Sequence, residues 1–259
     1  MRKPVPQKLH FIAALQLEAQ QAYQECVKRY AQHSADDADV IIVLGGDGMM
    51  LQTVNRFLNS EKPIYGMNKG TVGFLMNAYA LHDLYERIEK AISNRIFPLA
   101  MTALDAQGNI SHALALNEVS LFRQSYQASK LRLSIDGKMR LGELICDGVL
   151  IATPQGSTAY NFSAQGPIIP IHAPLLALTP ISPFRPRRWN GALLPNHSNV
   201  KIEVLESEKR PVNAVADHTE VKSVVEVRVH EDQTQSGIIM FDSSHSWEDR
   251  ILDEQFRHE

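Results

Sequence analysis

The sequence predicts an α/β N-terminal lobe built on a doubly wound parallel sheet, then a mainly antiparallel β lobe, then a short C-terminal helix. Three observations carry that prediction. Up to Pro98, β-branched apolar runs alternate with segments of helical period, as strands joined by crossover helices require. Beyond Pro98 the apolar period shortens to two, the pattern of strands with one wet face. From Ser246 to Glu259 helical spacing returns, with Trp247, Ile251, Leu252 and Phe256 on one side. The expected domains are 1–98, 99–240 and a tail over 241–259 that returns to the first domain.

Taken in order, Leu9 to Leu15 reads as a strand and Glu18 to Gln32 as a helix with apolar Ala22, Cys26, Val27 and Tyr30. Asp39 to Leu44 is a continuous apolar run, expected of a strand buried on both faces. It ends in Gly45-Gly46-Asp47-Gly48, after which Met50, Leu51, Val54, Phe57 and Leu58 recur at helical spacing. A third strand, Pro63 to Met67, leads through Asn68–Leu75 into a helix expected from Leu81 to Asn94. In the second lobe, strands are expected at 110–122, 130–135, 139–151, 201–204, 211–216 and 225–229.

The composition narrows the function. With Lys+Arg 26 against Asp+Glu 29, the net charge of -3 supplies no basic field for a phosphate backbone or an anionic membrane, so neither nucleic acid nor membrane is an expected partner. Cys26 and Cys146 form no Cys-x-x-Cys pair, which suits a reducing cytoplasm. The basic start, Met1 to Pro6, precedes an apolar stretch that holds His10 and Gln16 and has no small-residue cleavage site, so it reads as the approach to a strand rather than a signal peptide. From Gly148 to Phe184 no charged residue occurs, but six prolines exclude a membrane helix; a buried ligand site or a subunit interface is expected there.

Gly45-Gly46-Asp47-Gly48 is the sharpest local feature. Glycines at the carboxyl end of a buried strand let a phosphate approach the backbone, and the following helix offers unpaired N–H groups. Asp47 suits a base that takes a proton from a nucleophile, or a metal ligand beside phosphate; the plain alternative is a residue capping its own helix. No Gly-x-x-x-x-Gly-Lys-Ser/Thr occurs, which excludes a P-loop enzyme. Thr153–Tyr160 brings three hydroxyls and an aromatic ring to one turn, suited to a phosphate or ribose and to a base, or simply to a helix cap. Asn117 and Glu118 interrupt the apolar stretch from Ala113 to Phe122, either as ligand contacts or as a strand end. The ten histidines form no zinc-type pair, and Arg185–Arg188 reads as a solvated basic loop.

Gly45-Gly46-Asp47-Gly48, Gly66–Leu75, Asn117-Glu118 and Asp147-Gly148 leading to Thr153–Tyr160, in this order over about residues 40–220, resemble the NAD kinase family. The glycine-aspartate turn is shared with lipid kinases and phosphofructokinases; the stretch from Asp147 to Tyr160 separates NAD kinases from them. The resemblance implies transfer of a phosphoryl group from ATP or polyphosphate to the 2'-hydroxyl of the adenosine ribose of NAD, giving NADP, with Mg2+ or another divalent cation accompanying the donor. It implies that Asp47 is the general base, that Gly45, Gly46 and Gly48 shape the donor-phosphate site, and that Phe74 and Leu75 wall the adenosine cleft. Asn117 and Glu118 would bind adenosine and ribose, and Asp147 the nicotinamide side. Thr158, Ala159, Tyr160 and Ser163 would line the base pockets, and Asp217 would reach in from the later strands. It also implies a homodimer or homotetramer whose subunits share the pocket. His218 stands where the family commonly has Gly, and Ser182–Trp189 has no clear counterpart.

Two other readings compete at this stage. A lipid or sugar kinase would use the same glycine turn, but no basic amphipathic helix for membrane docking accompanies it. A nucleotide-binding sensor without catalysis would gain nothing from a carboxylate beside phosphates.

Overall fold

The computed structural model describes residues 8–70, 73–187, 189–243 and 247–256, the side chains of 248 and 253–255 excepted. The N-terminal segment 1–6, positions 71 and 72 of the Asn68–Leu75 motif, position 188 of the basic run and residues 246 and 257–259 of the expected tail helix lie outside them. Two compact units form: Met1–Ile96 with Gln235–Glu259, and Phe97–Thr234.

The first unit runs β1 (Leu9–Ala13), α1 (Leu17–Tyr30), β2 (Val40–Gly45), α2 (Asp47–Arg56), β3 (Pro63–Asn68), α3 (Leu84–Lys90) and β4 (Ile92–Ile96). The second runs β5 (Leu99–Asp105), β6 (Ile110–Ala115), β7 (Glu118–Arg123), β8 (Ser129–Ile135), β9 (Lys138–Cys146) and β10 (Gly148–Ala152). A single 3-10 turn (Gln155–Thr158) and α4 (Tyr160–Ser163) follow, then β11 (Leu175–Ile181), β12 (Ala192–Pro195), β13 (Val200–Val204), β14 (Val212–Ala216), β15 (Thr219–Val221) and β16 (Val224–Glu231). The chain then re-enters the first unit as β17 (Gly237–Phe241) and α5 (Trp247–Gln255).

The first unit's sheet has the order β1-β2-β3-β17-β4, parallel from β1 to β17, with β4 antiparallel at the edge. Every residue of β2 is buried, because helices cover both faces. Val40, Ile42 and Leu44 join Ala22 and Cys26 of α1 and Leu84 and Ile88 of α3 in one core. α2 lies against β2, β3 and β17 through buried Met50 and Val54. The helix expected over 81–94 is shorter: α3 stops at Lys90, and Ile92–Ile96 pairs with β17 instead. Residues 235–240, expected in the second domain, belong to the first unit, because β17 fills the slot between β3 and β4.

The second unit is a sandwich of two six-stranded antiparallel sheets, β12-β11-β10-β7-β14-β15 and β6-β5-β16-β13-β8-β9. Alternate residues of both sheets, Met101, Leu131, Val119 and Val149 among them, share one core. Two expected strands are each split in two. The span 110–122 breaks after Ala115, and 139–151 breaks at Asp147, because at each break the chain leaves one sheet and enters the other. Part of the charge-free segment covers its own sheet: Ile169 packs with Leu150, Ala152 and Ala177, with Tyr160 and Ala164 against them.

Candidate active site

In the first unit, β2 ends at Gly45 and α2 starts at Asp47, with Gly46 as the extended residue between them. Asp47 does not cap its own helix. Its Oδ2 accepts the Phe74 amide and its Oδ1 the Leu75 amide, both at 2.9 Å, from residues 27 and 28 positions away. Two amides on two oxygens fix the carboxylate plane, which a single bond would leave free to rotate. Gly73 permits the approach, since a Cβ there would lie 2.9 Å from the Met76 side chain and 3.3 Å from Asp47 Oδ1. Burial pushes the Asp47 carboxyl above its ordinary range, opposed by the two amides and by the charge of Arg250.

Beside this turn lies a cavity of about 1040 Å³, lined by Ala13, Gly46, Gly48, Met49, Lys69 and Gly70 among others. It sits at the carboxyl ends of β1 and β2, where open parallel sheets bind ligands. The first-turn amides of α2 lack intrahelical acceptors and favour anions. Lys69 serves twice: its amide donates to the Gly45 carbonyl at 2.8 Å, and its Nζ stands 3.4 Å above the Tyr79 ring centroid. Tyr79 in turn donates to Glu25 Oε2 at 2.9 Å.

In the second unit the corner between β6 and β7 carries Asn117, with Glu118 opening β7. Asp217, in the left-handed conformation at φ 49, holds that corner: Oδ2 accepts the Leu116 amide at 2.7 Å, and Oδ1 accepts Asn117 at 3.0 Å and Glu118 at 3.3 Å. Thr153 Oγ1 donates to the Leu116 and Asn117 carbonyls, and Gln155 Nε2 to the Leu116 carbonyl at 2.7 Å. A Cβ on Gly156 would lie 2.2 Å from the Asn117 carbonyl oxygen, so the turn needs glycine there. All this holds the backbone and leaves Glu118 Oε2 buried without a partner. Burial, then the nearby Asp217 charge, raises the Glu118 carboxyl to about 7.

The other expected contacts lie further along the same sheet, toward the Asp147 end of β7. Tyr160 stacks obliquely on Phe122 with centroids 5.6 Å apart, and its hydroxyl feels Glu118 and Asp147. Tyr160 and Ser163 line a cavity of about 400 Å³ with Pro180, Ser182 and Asn190. Asp147 is engaged by Arg123, Nε to Oδ1 at 2.6 Å. Thr158, partly buried like Ala159, makes only a long contact to the Gln155 carbonyl at 3.5 Å.

The structure thus gathers Gly45, Gly46, Asp47, Gly48, Phe74 and Leu75 in the first unit. Asn117, Glu118, Asp147, Thr158, Ala159, Tyr160, Ser163 and Asp217 belong to the second. Leu75, 2% exposed, contributes its amide to Asp47. Asp217 accepts the corner's amides on both of its oxygens. Sequence reasoning missed Arg123, Gln155 and Arg250. Arg250 follows Trp247 by three positions and precedes Ile251, on the buried stripe of α5, and a charge on that stripe was the available signal.

A doubly wound unit with an amide-locked carboxylate at a glycine turn, joined in sequence to a β-sandwich with a partnerless carboxylate oxygen at a sheet corner, suits a nucleotide-binding phosphotransferase that does without a P-loop. Residues 1–96 match the ATP-NAD kinase N-terminal domain and residues 116–248 the ATP-NAD kinase C-terminal domain. The NAD kinase of Brucella suis biovar 1 (strain 1330) is 59% identical over 250 residues, covering 96% of this chain and 97% of that one. That of Rhizobium meliloti (strain 1021) is 60% identical over 248 residues, covering 96% of each. Two solved structures share the fold. Yeast NADH kinase complexed with NADH has a TM-score of 0.83 at 21% identity, covering 99% of this chain and 90% of that one. An NAD kinase from Archaeoglobus fulgidus in complex with ATP has a TM-score of 0.73 at 23% identity, covering 92% and 94%. The chain belongs to the NAD kinase family. It is an enzyme, a kinase that binds NAD.

Proposed function

We propose that this kinase transfers the terminal phosphoryl group of ATP, or of polyphosphate, to the 2'-hydroxyl of the adenosine ribose of NAD, with Asp47 as the general base. The 2'-oxygen attacks the terminal phosphorus, the bond to the leaving phosphate chain breaks, and the hydroxyl proton passes to Asp47. The observation that carries the reading is the Asp47 carboxylate, locked by the Phe74 and Leu75 amides at 2.9 Å at the end of a buried strand. Its upward-shifted affinity for protons suits a base, since a carboxylate of ordinary acidity would hold the proton poorly.

Donor phosphates go to the cavity of Gly46, Gly48, Lys69 and Gly70, where helix amides and an ammonium offset their charge. Asn117 and Glu118 take adenosine and ribose: the free Oε2 of Glu118 is a buried polar atom that a ribose hydroxyl or base amine would satisfy. Tyr160 and Ser163 line the pocket for a base, Thr158 and Ala159 precede them in the chain, and Asp147, paired with Arg123, lies near Tyr160. Mg2+ or another divalent ion accompanies the donor, carried on its phosphates. Among the described residues no helix is long and apolar enough to cross a membrane. The protein works in the cytoplasm, as a homodimer or homotetramer.

The test is NADP formation by the purified protein with NAD, Mg2+ and either ATP or polyphosphate, the Asp47→Asn variant run beside it. NADP with the wild type and almost none with the variant is expected. An equally active variant removes Asp47 as the base, and no product with any donor removes the reaction.

A further inference from the structure

Arg250 is the one charged side chain on the buried stripe of α5 that the described residues show, at 6% exposure. Its guanidinium donates to the Phe74 carbonyl at 3.0 Å, to the Met76 carbonyl, and to Asn77 Oδ1 at 2.7 Å. These acceptors belong to the segment whose amides, Phe74 and Leu75, hold Asp47. The segment is therefore gripped on its carbonyl side by a cation and grips the carboxylate on its amide side.

Burying a guanidinium is costly, and the usual compensation is a contacting carboxylate. Arg250 has none. Asp242 is already engaged by Tyr65, Oη to Oδ1 at 2.5 Å, and by Arg87, Nη2 to Oδ2 at 2.6 Å. The cation instead rests over the Phe241 ring at 4.8 Å, and its field falls on Asp242, Asp47 and Tyr65. Asn77, fully buried, ties the arrangement to the sheet by donating to the Gly66 and Met240 carbonyls, each at 3.0 Å. A buried cation with no contacting carboxylate among the described residues, offset by the fields of Asp242 and Asp47, is retained at a cost, and here it stands behind one turn of chain and the carboxylate that turn holds.

We propose that Arg250 is a positioning residue for Asp47, fixing the 74–77 segment from behind and supplying the positive charge that backs the carboxylate. The proposal rests on the reading of Asp47 as the base. A helix far along the chain thereby sets the geometry and the working pH of the glycine turn. The charge of Arg250 opposes the upward push of burial on the Asp47 carboxyl, so losing that charge moves the carboxyl further up. The acid limb of activity then moves to higher pH. The ionised groups that share this field are Asp242 and Arg87, with Tyr65 between them.

The experiment compares full-length wild type, Arg250→Gln, Arg250→Lys and Asp47→Asn, measuring kcat and the KM for NAD from pH 5 to pH 9 with ATP and Mg2+, alongside thermal unfolding. Gln keeps amide donors and removes the charge; Lys keeps the charge and loses the planar fork. For Arg250→Gln the expected result is a kcat about tenfold lower, an acid limb raised by about half a pH unit or more, and a KM for NAD within about threefold. For Arg250→Lys the limb returns close to wild type while kcat stays lowered. An unmoved limb in Arg250→Gln, or both variants unfolded at assay temperature, makes Arg250 a residue of the fold alone and overturns the proposal. If Asp47→Asn is as active as wild type, the failure lies instead with the reading of Asp47 as base.

Discussion

Asp47 in the first unit and Asp217 in the second both spend their oxygens on backbone amides, yet toward opposite ends. At Asp47 two amides immobilise the carboxylate, which is the reactive group in the function we propose. At Asp217 three amides are immobilised by the carboxylate, and the neighbouring Glu118, whose Oε2 has no partner, is the group that function leaves for a ligand. Under that reading the same hydrogen bond serves chemistry in one unit and recognition in the other. What separates them is which partner is already rigid. Around Asp47 the donors are anchored through Arg250 and Asn77; around Asp217 the acceptor sits at the end of β14 in a sheet interior.

The largest effect that tests this contrast is Asp47→Asn. Removing the base is expected to lower kcat by about 10² to 10⁴-fold with KM for NAD changed little, read by steady-state kinetics. Asp217→Ala comes next. It orphans amides at the corner, so it should destabilise the protein by about 2 to 3 kcal/mol in chemical denaturation and raise the KM for NAD about tenfold, with kcat affected less. A large kcat loss at unchanged KM would reverse the roles assigned to the two carboxylates.

Glu118→Gln sharpens the contrast through pH. The Glu118 carboxyl is raised to about 7 from an ordinary 4.5, so the folded state holds its proton more tightly than the unfolded chain. Stability from this group is full below the ordinary value and declines as pH rises through 4.5 to 7. Relative to wild type, the Gln variant should gain about 1 to 2 kcal/mol between pH 5 and pH 8, the full linkage being discounted for partial exposure. An equal stability difference at both pH values would mean that the carboxyl titrates normally. The smallest effect belongs to Lys69→Met, expected to raise the KM for ATP several-fold, about 1 kcal/mol, while leaving the KM for NAD alone.

Local chemistry made much of this legible. The run Val40–Gly45 announces a strand buried on both faces, and the glycines after it announce a turn into a helix, because each signal lies within a few residues. Glu118 stood out as a polar residue in an apolar stretch, which is the orphaned atom seen at the corner. What stayed hidden depends on distant partners. Ile92–Ile96 reads as the end of a helix until β17 is present to pair with it. The breaks at Asn117 and Asp147 are invisible to periodicity, since both halves of each strand alternate alike and only their sheets differ. The partners of Asp47 lie 27 and 28 residues away, and the contacts of Arg250 span more than 170.

The strand β17 lies inside the first unit's sheet, between β3 and β4, though it is encoded after the whole second unit. During synthesis, residues 97–234 emerge as one uninterrupted stretch and can close their sandwich while the earlier unit still has an open gap in its sheet. The part of the chain that bears Asp47 is therefore the last to be finished, although most of it is made first. A chain ending before Gly237 would hold all of the second unit and an unsealed first one, with the edge of β3 bare. For this protein the order of translation and the order of completion run in opposite directions.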